Sequence, residues 1–65
     1  MTRHAMITAE GENRIRLVLY NPGKPTREEY RTRAGAILTL HYWGAPSPTK
    51  VVDLAIENGS QRVSL

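Results

Sequence analysis

Polar and hydrophobic residues alternate along much of this chain, and little of it has helical spacing. Ile15, Leu17 and Leu19 point one way while Arg14, Arg16, Val18 and Tyr20 point the other, as in a strand with one buried face. The same period recurs in Val52, Leu54 and Ile56, opposed by Val51, Asp53, Ala55 and Glu57. Val63 and Leu65 flank Ser64 in like manner. The run Ala36–Trp43 is apolar on both sides, which suits a central strand or one covered by a partner.

The punctuation agrees with strands. Glu10-Gly11-Glu12-Asn13 reads as the turn of a first hairpin, joining His4–Ala9 to Arg14–Tyr20. Asn21-Pro22-Gly23-Lys24 has the chemistry of a type II turn, with Pro at the second position and Gly at the third. Asn58-Gly59 is a strong hairpin signal, because both residues tolerate positive φ. Ala45-Pro46-Ser47-Pro48-Thr49 reads as a rigid connector, since each proline removes a donor and restricts its predecessor.

Residues 26–34 support two readings. Thr26-Arg27-Glu28-Glu29 fits a capping box after Pro25, and Gly35 is placed to end a short helix. Against this, Glu28, Tyr30 and Thr32 alternate with Arg27, Glu29, Arg31 and Arg33, as in a polar strand. Both stay open at this level. The expected fold is mainly β, in one domain over residues 1–65. It is a small antiparallel sheet, or an SH3-like or OB-like barrel of about five strands, with or without one short helix near 26–34. The expected core is Ile7, Ile15, Leu17, Leu19, Leu38, Leu40, Val52, Leu54 and Ile56.

Size narrows the function. Sixty-five residues lie near the lower limit for independent folding, and there is no cysteine to form a disulfide or thiolate metal site. His4 and His41 have no close His, Asp or Glu at a ligand spacing, so neither metal nor cofactor is expected. Ligand pockets occupy about 300 Å³ or more, which makes so small a monomer a poor enzyme. Ser47, Ser60 and Ser64 lack the neighbouring His or Asp of a nucleophile motif. Glu28 and Glu29 form no dyad, and Asp53 and Glu57 read as exposed solubilising residues. The stretch up to Glu10 does not resemble a leader, and Ala34–Trp43 is about half of the ~20 residues a membrane span needs. A cytoplasmic protein without a membrane role is expected, and a homodimer that buries an edge strand or the run Ala36–Trp43 against a copy would supplement a thin core.

Charge then points to binding. Six of the nine Lys and Arg residues lie between Arg14 and Arg33, against only Glu28 and Glu29. That stretch carries +4 and the remaining 45 residues −1. Guanidinium groups beside aromatic rings hold phosphates, stack on bases or clamp an acidic protein surface. The expected partner-binding residues are Arg14, Arg16, Tyr20, Arg27, Tyr30, Arg31, Arg33, His41 and Tyr42. In a hairpin about Pro22-Gly23 their exposed arginines are expected to share one face. Trp43 is expected to fill the core, and His41 to sit half-buried.

The expected function is a non-catalytic protein that covers a surface on a larger macromolecule. Small inhibitors and modulators encoded by phages and mobile elements, acting on nucleic-acid-handling proteins, are of this kind. The alternative is direct nucleic-acid binding by the same Arg/Tyr stretch.

Overall fold

The computed structural model describes residues 2–65. Strands β1 (His4–Ala9), β2 (Ile15–Tyr20) and β3 (Arg27–Arg31) come first. Helices α1 (Arg33–Tyr42) and α2 (Pro48–Asn58) follow, and β4 (Ser60–Ser64) closes the chain. The four strands form one open antiparallel sheet in the order β3-β2-β1-β4, so β3 and β4 are edges and no barrel closes. The fold is therefore α+β: a small antiparallel sheet carrying two helices.

The first half follows the alternation closely. β1 and β2 pair with Ile7 opposite Leu17, and the β2–β3 hairpin turns through Pro22-Gly23. Residues 27–31 are strand, which decides between the two readings of that segment. The second half departs from it. Ala36–Trp43 and Val51–Glu57 lie in helices, not strands.

The helix ends show why. Thr32 accepts a hydrogen bond from the Gly35 amide at 3.2 Å as N-cap of α1, and the Glu12 carbonyl in the first hairpin turn accepts from the Arg33 amide at 2.8 Å. α1 ends in a Schellman motif: the Ala45 amide donates to the Leu40 carbonyl and the Gly44 amide to that of His41. This geometry needs the left-handed backbone that Gly44 adopts at φ 86°. Pro48 opens α2, where its missing amide costs nothing. Gly59, at φ 94°, caps α2, and its carbonyl accepts from the Ala9 amide. Asn58-Gly59 thus turns a helix, not a hairpin, into β4.

Both helices pack on one side of the sheet. The layer between them holds Ala5, Ile7, Ile15, Leu17, Leu19 and Val63 from the strands, with Ala36, Leu40, Val51, Val52 and Ala55 from the helices. Leu38 is not in it: helical spacing places it on the outer side of α1, 53% exposed. Leu54 and Ile56 are half-buried, Ile56 packing against the core. Trp43 also packs there from its place at the end of α1, partly exposed, with the Arg3 guanidinium 4.9 Å from its ring centre.

Candidate functional site on the open sheet face

Because the helices cover only one side, the other face of the sheet has no second layer among the described residues. Side chains alternate along each strand and directly paired residues share a face, so the register defines its rows. Tyr30, Arg16, Thr8 and Ser60 form one row, and Glu28, Val18, Met6 and Arg62 the next. Tyr20, His4 and Ser64 form a third.

Contacts organise this face. The Arg14 guanidinium lies 4.1 Å from the Tyr30 ring centre while its Nε donates to Glu10 Oε1 at 2.9 Å. Arg16 Nε donates to Glu28 Oε2 at 3.0 Å. At the opposite end of β1 and β2, the His4 and Tyr20 rings meet with centroids 4.9 Å apart. Met6 and Tyr30 are exposed, and Val18 is half-buried. The centre is thus apolar, with aromatic and ion-paired groups around it, a distribution common in protein interfaces.

The nine residues singled out by sequence divide among four places. Arg14, Arg16, Tyr20 and Tyr30 meet on or beside the open face. Arg27 and Arg31 do not join them, since they stand opposite Leu19 and Ile15 and so belong to the helix side of edge strand β3. The expectation of one shared arginine face fails because β-register fixes the side by odd and even position. Both arginines bond Glu29, which lies between them with its side chain only 12% exposed. Arg33 is in the first turn of α1 and pairs with Asp53 of α2. His41 and Tyr42 lie at the far end of α1, in edge contact with ring centroids 6.0 Å apart. Both are exposed, Tyr42 by 80%, so His41 is not half-buried.

Pairing changes the electrostatic picture. Each of the five arginines between residues 14 and 33 contacts a carboxylate: Glu10, Glu28, Glu29 or Asp53. The positive stretch is therefore largely compensated within the fold. Sequence reasoning missed His4, Met6, Thr8 and Arg62 as members of the face. The alternation of His4, Met6 and Thr8 against Ala5, Ile7 and Ala9 carried the signal for β1.

The helix layer bears a larger hollow of about 550 Å³, lined by Ser47, Pro48, Thr49, Lys50, Asp53, Leu54 and Glu57. Its volume exceeds what so short a chain was expected to offer. All its lining belongs to α2 and its N-cap, so no second element opposes a ligand there. Among the described residues, no helix is long and apolar enough to cross a membrane. No family model matches the chain, and neither curated proteins nor solved structures give a match.

Proposed function

We propose that this chain is a non-catalytic binding module that lays its open sheet face on a protein partner. An inhibitor or modulator of a nucleic-acid-handling protein would act in this way. The observation that carries the reading is an entire sheet face without a covering layer, its centre formed by Val18 and Met6 and its margin by Tyr30, Tyr20 and ion-paired arginines. Interfaces combine such an apolar centre with aromatic and Arg anchors. The test is affinity capture with the wild-type chain beside a Val18→Lys variant whose folding is checked by melting. A partner held by wild type and lost by the variant supports the reading, and equal capture sinks it.

Direct nucleic-acid binding is the second reading, favoured by the exposed Tyr30 ring with its guanidinium and the half-buried His4 and Tyr20 rings of the face. The carboxylate partners of the arginines weigh against it, because polyanion affinity rests on uncompensated positive charge. Titration with short single- and double-stranded oligonucleotides at low and moderate salt separates the two. Affinity that falls steeply with salt favours nucleic acid, whereas no binding at low salt removes that reading.

A further inference from the structure

We infer that one corner of the open face, formed by Thr2, His4, Tyr20 and Arg62, is a subsite for a carboxylate on the protein partner. The inference rests on the open-face reading and adds the chemistry of one contact. These four residues line a hollow of about 220 Å³. Thr2, His4 and Arg62 can each donate a hydrogen bond and none of the four lining side chains is a carboxylate, so the hollow offers donors and no negative charge to an anionic group. Arg62 stands out from Arg14 and Arg16 on the same face. Those two are bound to Glu10 and Glu28, while Arg62 has no acidic partner among the described residues.

Its position follows from the fold. Arg62 is opposite Met6 on edge strand β4, and two residues away along β1 the His4 ring meets that of Tyr20 at a tilt of 34°. Arg62 is exposed at the sheet edge and lines the hollow together with these two rings. One planar guanidinium matches the two oxygens of one carboxylate in a bidentate pair. A nucleic-acid strand presents a run of phosphates that calls for several uncompensated cations, whereas Arg14 and Arg16 on this face are held by carboxylates. An Asp or Glu side chain is thus the better fit, and it would anchor the partner beside the apolar centre at Val18 and Met6.

The test is an NMR titration of the whole chain with a blocked glutamate (N-acetyl, N-methylamide) and, separately, with inorganic phosphate. Glutamate is expected to shift the His4, Tyr20 and Arg62 side-chain signals and to saturate at tens of millimolar. Arg62→Gln should abolish these shifts, and Arg62→Lys should weaken binding severalfold by keeping charge without the fork. Absence of shifts at these residues, or shifts unchanged in Arg62→Gln, would overturn the proposal. So would phosphate binding more than tenfold tighter than glutamate, which points to a nucleic-acid backbone. The two readings fail separately, since partner capture is read on Val18→Lys and glutamate binding on the wild type and Arg62→Gln. If capture of a partner survives Val18→Lys and glutamate still binds, the open-face reading falls and the carboxylate subsite stands.

Discussion

The Arg33 guanidinium grips the Asp53 carboxylate with two parallel hydrogen bonds, Nε to Oδ1 at 2.8 Å and Nη2 to Oδ2 at 3.0 Å. This pair ties the first turn of α1 to the middle of α2. The hydrogen bond, with the charge attraction, holds Arg33 above its ordinary pKa; for Asp53 the hydrogen bond from Arg33 outweighs the opposing desolvation, with the charge attraction a smaller contribution, and holds the carboxyl below its own. A depressed carboxyl stabilises the fold at neutral pH. That contribution is lost as pH falls from the ordinary carboxylate value, about 4, through the lowered one. Asp53→Asn should therefore melt below wild type at pH 7, with the gap closing in acid. A gap constant from pH 7 to pH 2 would show that the pair does not act through its charge.

Burial separates two leucines that sequence alternation treated alike. Leu17 is fully buried between sheet and helices, whereas Leu38 faces outward from α1. Leu17→Ala should cost about 2–5 kcal/mol, enough to unfold much of a domain this small. Leu38→Ala should shift the stability of the monomer, measured at low protein concentration, by less than about 0.5 kcal/mol. Urea titrations of the two variants check the contrast, and similar midpoints would refute the helical facing of α1.

Two positive-φ positions predict opposite effects. Gly44→Ala places a side chain at φ 86°, where no neighbour lies within 4 Å, so the cost is conformational and about 1 kcal/mol. Ser47, at φ 49° and before Pro48, already bears such a cost, and its side chain makes no capping bond. Ser47→Gly should raise the melting temperature by several degrees, near the 4–8 °C that about 1 kcal/mol gives in small domains. Calorimetry should find one variant on each side of wild type.

Self-association is still expected, now by a different geometry. The run Ala36–Trp43 turns Ala36 and Leu40 into the core, which leaves Leu38 and Tyr42 one helical turn apart on the outside. Light scattering should give twice the 7.3 kDa chain mass at high micromolar concentration. Leu38→Glu should return it to the monomer mass. A wild-type monomer throughout that range would count against a dimer.

β1 and β2 were legible because they follow one another through a short turn, and Ile15, Leu17 and Leu19 leave little ambiguity about their face. The segment of β3 admitted a capped helix as well as a strand. The helices were not legible, for a physical reason. Val51, Val52, Leu54, Ala55 and Ile56 are nearly all apolar, so they satisfy a period of 2 and one of 3.6 together. Their termini held the missing information: Pro48 at the start and Gly59 just past the end follow the usual helix asymmetry. On the candidate site, Arg16, Tyr20 and Tyr30 were legible from the β2–β3 hairpin. Arg62 was not, because no local pattern reveals that β4 pairs with β1.

That pairing also shapes how the molecule comes together in time. His4 stands opposite Ser64, with nearly the whole chain between them. The β1–β2–β3 meander and the α1–α2 pair need only nearby residues, while seating β4 closes a long loop. By loop-closure scaling this costs about 2 kcal/mol more than a tight hairpin, so β4 should arrive after the folding barrier has been crossed. Val63, buried on β4, reports on that order. Val63→Ala should accelerate unfolding and leave the refolding rate nearly unchanged, and stopped-flow measurements that find slowed refolding would place β4 in the nucleus instead.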